Sequence, residues 1–180
     1  GICNGFQALV KSGLLPYGNF EEATETSPTL FYNDANQHVA KMVETRISNT
    51  NSPWLAGVKV GDIHAIPVSH GEGKFVVTDE EFAELRDNGQ IFSQYVDFDG
   101  KPSMDSKYNP NGSINAIEGI TSKNGQIIGK IQNVSKTVSS KIFQEIKTNI
   151  SLQVLCVTLQ GNNTRQISKE TMISDSFDND

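Results

Sequence analysis

Apolar positions recur along this chain with two periods, and the changes between them mark its elements. In residues 3–12, Phe6, Leu9 and Val10 share one side of a 3.6-residue repeat, which predicts an amphipathic helix with one buried face. Gly13 is placed as its stop, and Pro16 lies just beyond. Thr29–Tyr32 and Val39–Ile47, rich in aromatic and β-branched residues, predict strands. A further strand is predicted over residues 63–68. Ligands of open α/β sheets bind beyond the carboxyl ends of strands, so the polar, Gly-rich residues that follow are expected to form a ligand-facing loop. Thr78 or Asp79 caps a short helix over residues 80–87, whose acidic start suits the positive end of the helix dipole and which Gly89 ends. Residues 90–96 return as a strand, and residues 113–121 pair with 126–131 across Asn124-Gly125, a hairpin signal. Past Lys130 the periodicity fades, and the polar, acidic residues 166–180 predict a disordered tail.

Composition narrows the function classes. The chain has 180 residues, 36% of them hydrophobic and 20% charged, enough for one packed domain. A net charge of −6 argues against nucleic-acid and anionic-membrane partners. No apolar run approaches the roughly 20 residues that span a bilayer, and no charged-then-apolar leader precedes the first motif. The two cysteines, Cys3 and Cys156, are too few for a disulfide framework and fit a reducing compartment. A cytoplasmic location is expected.

The densest chemistry lies in Gly1-Ile2-Cys3-Asn4-Gly5-Phe6-Gln7. A thiol between small residues, at the point where a strand turns sharply into a helix, has the form of a nucleophile elbow. The flanking glycines tolerate the turn, and the first helical turn offers N–H groups to a thiolate and to an oxyanion. A buried Cys in an ordinary turn is the alternative for a lone Gly-x-Cys. The full Gly-x-Cys-x-Gly-x-Gln spacing favours the elbow. Cys3 is then the nucleophile, and the backbone N–H of Asn4 the candidate oxyanion donor. His70-Gly71-Glu72 has the spacing of a base and its orienter, or of a Gly-rich loop capping its neighbours. His38 and His64 read as ordinary surface or strand residues, and no cluster has metal-ligand spacing.

The seven-residue motif resembles the nucleophile segment of class I glutamine amidotransferases, in the version of the phosphoribosylformylglycinamidine synthase family. Ser69-His70-Gly71-Glu72-Gly73-Lys74-Phe75 is similar to that family's Ser-His-Gly-Glu-Gly loop. Tyr108-Asn109-Pro110-Asn111-Gly112-Ser113, followed by Asn115-Ala116-Ile117-Glu118-Gly119-Ile120, is similar to its Asn-Pro-Asn-Gly-Ser segment. The resemblance covers residues 1–130. It implies an α/β fold: a partial flavodoxin-like amidotransferase domain, with a central mixed sheet and flanking helices. It implies that Gln7, Ser69, His70, Gly71 and Glu72 bind glutamine, which is hydrolysed through a Cys thioester to release ammonia for purine biosynthesis. It implies no cofactor in this segment and, as partner, a synthetase domain, fused or separate, that uses ATP and magnesium. Because the family's domain begins with further strands and with a Gly-rich loop donating an oxyanion N–H, a chain truncated at its N-terminus is expected.

The family's His and Glu catalytic positions fall on Asn133 and Ser135. Asn cannot shuttle a proton near neutral pH, and Ser cannot orient an imidazole as a carboxylate does, so an inactive chain is expected. Ile131-Gln132-Asn133-Val134 can be encoded as ATT CAG AAC GT plus any base, and the neighbouring frame then contains TCA GAA CGT, Ser-Glu-Arg. Residues 131–180 are accordingly expected to be a divergent or out-of-frame tail. A catalytically dead glutamine-binding or synthetase-docking domain, and another class I amidotransferase, stay open as alternatives.

Overall fold

The computed structural model describes residues 1–131. The expected disorder of the tail, and positions 133 and 135, lie outside the described residues. Elements follow in the order α1 (Asn4–Lys11), β1 (Thr29–Tyr32), β2 (Val39–Ile47), β3 (Ile63–His70), β4 (Glu72–Val76), α2 (Asp79–Asp87), β5 (Ile91–Tyr95), β6 (Ile117–Thr121) and β7 (Ile128–Lys130). A five-stranded sheet runs β3-β2-β5-β6-β7, and β1 with β4 forms a two-stranded one. These strand pairs are antiparallel. Ile2 bridges Lys130 in parallel, which makes the pairing mixed at the β7 edge.

The sheets are joined by strands that cross from one to the other. β2 pairs with β3 from Val39–His70 to Arg46–Ile63, and β1 pairs with β4 from Thr29–Val76 to Tyr32–Glu72. The chain therefore passes between sheets at residues 33–38 on one strand pair and at Gly71 on the other. Residues 69–72, expected from the sequence to form a Gly-rich loop, are instead the end of β3, a one-residue corner and the start of β4.

Apolar side chains of both sheets and of α1 fill one main core that includes Phe6, Leu30, Val43, Ile66, Phe75 and Ile120. Phe6 is fully buried and stacks on Phe75, ring centroids 5.8 Å apart. Burying such a side chain stabilises the fold by about 1.5–3 kcal/mol. Gly129 lets the helix approach: a Cβ there would lie 2.2 Å from Phe6 Cδ2 and 2.5 Å from Leu15 Cδ1. α1 is thereby pinned to β7, the strand that also carries the backbone of Cys3.

Two local expectations hold closely. Gly13 ends α1 at φ 79°, and Thr78 caps α2 by accepting the Glu81 N–H at 3.2 Å, with Asp79, Glu80 and Glu81 in the first turn. The strand expected over 113–121 starts only at Ile117, because Asn115 and Ala116 adopt left-handed conformations (φ 50° and 59°).

Candidate active site

Cys3 stands at φ 52°, ψ −116°, where a side chain is strained. Backbone of this kind costs about 1–3 kcal/mol and persists only where its surroundings impose it. Here they do. The Cys3 N–H donates to Lys130 O at 3.1 Å, and the Lys130 N–H donates to Gly1 O at 3.1 Å. The turn is closed by Gly5 N–H to Ile2 O at 2.9 Å and Gln7 N–H to Cys3 O at 3.0 Å. Gly1 is obligatory, since a Cβ would sit 2.5 Å from Gly5 O. Cys3 is the N-cap residue of α1, yet its side chain makes no capping bond. The half-buried thiol stays available, at the end of a helix that favours an anion. Asn4 contributes the first N–H of α1, a position without an acceptor inside the helix.

One turn further on, Gln7 Nε2 donates to Glu72 Oε2 at 2.7 Å on an exposed surface. The fold thus joins two positions 65 residues apart in the chain, and the partner of α1 here is the β3–β4 corner. His70 is buried, and its imidazole lies over Gly73, where a Cβ would fall 2.1 Å from Cε1. Ser69 projects to the opposite, exposed side of β3 and hydrogen-bonds His38 Nε2 through Oγ at 3.2 Å. Of the residues expected to hold glutamine, Gln7 and Glu72 meet directly, Gly71 forms the corner, and Ser69 and His70 point to opposite sides of the strand.

The residues that fix this corner are ones the sequence did not assign to the site. Asn33, completely buried, donates from Nδ2 to His70 O (2.9 Å) and Gln37 O (3.2 Å) and accepts the Gly73 N–H at Oδ1 (3.0 Å). Ser113, also buried, donates from Oγ to Gly73 O (3.0 Å) and accepts the Phe75 N–H (3.1 Å). Asn109 holds Ser113 by accepting its N–H (3.1 Å) and donating to its carbonyl (2.8 Å). The Asn-Pro-Asn-Gly-Ser block is therefore a brace for β4. Its sequence signal was visible. That of Asn33 was not, because an Asn between a strand and a turn is ordinary turn chemistry.

His64, half-buried in β3, is held below the usual histidine range by burial and by Lys130, against an opposing influence from Asp62. Lys130 Nζ lies 3.5 Å from Glu118 Oε2, a carboxylate with no exposure. Among the described residues, no group of three or more His, Cys, Asp or Glu could hold a metal ion, and no helix is long and apolar enough to cross a membrane.

Residues 1–160 match the family of CobB/CobQ-like glutamine amidotransferase domains, a match that continues past residue 130, where the resemblance read from the motifs ends. The phosphoribosylformylglycinamidine synthase subunit PurQ of Thermomicrobium roseum is 33% identical over 160 residues, which cover 89% of this chain and 62% of that protein. PurQ of Aquifex aeolicus is 36% identical over 129 residues, covering 72% of this chain and 51% of that protein. The chain therefore spans less than two thirds of these relatives' length. A solved structure of PurLQS from Thermotoga maritima superposes with a TM-score of 0.57 at 24% identity, covering 82% of this chain and 59% of that one, and so shares its fold.

Proposed function

The chain belongs to the family of CobB/CobQ-like glutamine amidotransferase domains, and on that premise we propose that it is the nucleophile-bearing part of the glutaminase of phosphoribosylformylglycinamidine synthase. The observation that carries this reading is the strained backbone of Cys3 between Gly1 and Gly5, with Gln7 tied to Glu72. An ordinary core cysteine has no need of such a turn. Cys3 Sγ attacks the side-chain carboxamide carbon of glutamine, and the oxyanion that forms draws on the Asn4 N–H. Collapse of the adduct breaks the C–N bond and releases ammonia, whose nitrogen takes up a proton, and leaves a thioester. Water then cleaves the thioester to glutamate and restores the thiol. Gln7 and Glu72, with the Ser69 to Gly71 backbone, hold the substrate beside the elbow.

Proton transfer in both steps needs a base. With Asn and Ser at positions 133 and 135, the chain binds glutamine and positions the thiol but turns substrate over slowly, since losing the base of a triad costs ~10⁴-fold or more. The alternative of a glutamine-binding or synthetase-docking domain without turnover rests on the same two positions. The ammonia acceptor, ATP and magnesium belong to a synthetase domain, fused or separate, which this segment would dock. An assembly named PurLQS among its structural neighbours supports that partner.

The test pairs two measurements on the chain and its Cys3→Ala variant. Ammonia release from glutamine should not exceed that of the variant. A glutamine analogue carrying an electrophilic carbon in place of the carboxamide should label Cys3 saturably, and free glutamine should block it. Failure of that protection refutes the glutaminase reading. Cys3-dependent ammonia release would instead show that another group, with His70 and Glu72 the first candidates, serves as base.

A further inference from the structure

Resting on the glutaminase reading above, we propose that Asn33 is a positioning residue for the substrate glutamine, acting through Glu72. It touches no part of the elbow and belongs to none of the motif blocks. Its bonds nevertheless bracket Glu72 from both sides along the chain. Ahead of Glu72, Nδ2 donates to His70 O and the Asn33 N–H donates to Gly71 O at 3.0 Å; behind it, Oδ1 accepts the Gly73 N–H.

Ser113 completes the clamp by taking the Gly73 carbonyl, and the imidazole of His70 closes the space where any side chain on Gly73 would go. The peptide units flanking Glu72 are thus fixed by buried bonds, whereas the Glu72 carboxylate itself is exposed and tied through Gln7 Nε2. An exposed hydrogen bond of this kind adds little net stability. The direction in which the carboxylate points is therefore set by its backbone, which Asn33 holds. A carboxylate beside the first turn after Cys3 can meet an amino-acid substrate only if it is aimed correctly, and small displacements of positioning groups have large kinetic costs.

The experiment follows Cys3 labelling in the full chain with two reagents: the electrophilic glutamine analogue, which must be recognised, and iodoacetamide, which need only reach the thiol. Asn33→Asp keeps an acceptor for Gly73 and loses both side-chain donors; Asn33→Ala loses all three side-chain bonds. In both, the analogue concentration giving half-maximal labelling should rise on the order of tenfold, with the limiting rate and the iodoacetamide rate unchanged. Ser113→Ala, which loosens Gly73 from the other side, should move the same quantity in the same direction. If Asn33→Ala fails to fold by circular dichroism, Asn33→Asp and Ser113→Ala carry the test. Unchanged half-saturation, or an equal fall in the iodoacetamide rate, overturns the proposal. If the unaltered chain reacts with iodoacetamide but shows no saturable labelling by the analogue, the glutaminase reading is what fails. Positioning is then decided by solvent exchange of the Gln7 side-chain amide protons: faster exchange in Asn33→Asp supports it, and unchanged exchange overturns it.

Discussion

Replacing Cys3 by glycine should make the protein more stable. Cys3 occupies φ 52°, ψ −116°, a conformation that costs a residue with a Cβ about 1–3 kcal/mol and costs glycine little. Cys3→Ala removes the sulfur but keeps the Cβ, so the step from Cys3→Ala to Cys3→Gly isolates the backbone term. Against the relief stands the larger conformational entropy that glycine loses on folding, about 0.5–1 kcal/mol. The net expectation is a gain on the order of 1 kcal/mol. With a urea dependence of ~2 kcal/mol per molar for a domain of this size, the midpoint moves up by ~0.5 M. Trp54 reports the transition: its indole donates to Gln126 O at 2.7 Å, near the β6–β7 turn, and it is the chain's sole tryptophan. Urea titrations of both variants, analysed for midpoint and slope, give the difference directly. A Cys3→Gly midpoint at or below that of Cys3→Ala, at equal slope, refutes the claim that the elbow stores strain.

Gly129→Ala should cost about 1–3 kcal/mol, because the new Cβ overlaps Phe6 and Leu15 and lifts α1 from β7; an unchanged urea midpoint would show that the helix shifts without loss. Stability should also fall in mild acid through His64. Its folded-state pKa lies below the ordinary value, so the unfolded chain binds the proton more readily, and the stability held by the neutral ring is complete above about pH 6.5 and lost as the pH falls from there through the lowered folded value. Urea midpoints measured from pH 7.5 down to pH 5 should therefore decline more steeply for the unaltered protein than for His64→Gln, and parallel curves would contradict the assignment.

The sequence was most legible where structure is local. The 3.6-residue spacing of Phe6 and Val10, the Gly13 stop, the Thr78 cap and the strands at Thr29–Tyr32 and Val39–Ile47 all depend on neighbours a few residues away. The turn at Cys3 was legible too, since glycine at position 1 is demanded by a contact within that turn. Strand β4 was hidden because Glu72 to Lys74 reads as polar Gly-rich chain; its pairing is enforced from β1 and by Ser113. The late start of β6 follows from the left-handed Asn115 and Ala116, and nothing in an alanine announces such a conformation. Asn33 was illegible for a further reason: its side-chain partners His70 and Gly73 lie 37 and 40 residues downstream.

The elbow's anchorage has a kinetic consequence. Cys3 stands near one end of the described chain, and the strand that fixes its backbone, β7, near the other. Closing so long a loop carries an entropic penalty that short-range contacts do not repay, so pairings of this separation form late in folding. During synthesis and in any partly folded intermediate, Cys3 is an ordinary flexible thiol. Its strained turn comes into being only when residues 128–130 dock beside it. On the proposed glutaminase reading, the reactivity of this sulfur toward a glutamine-shaped electrophile therefore registers the docking of β7, and a pulse of such a reagent during refolding would time the arrival of that strand.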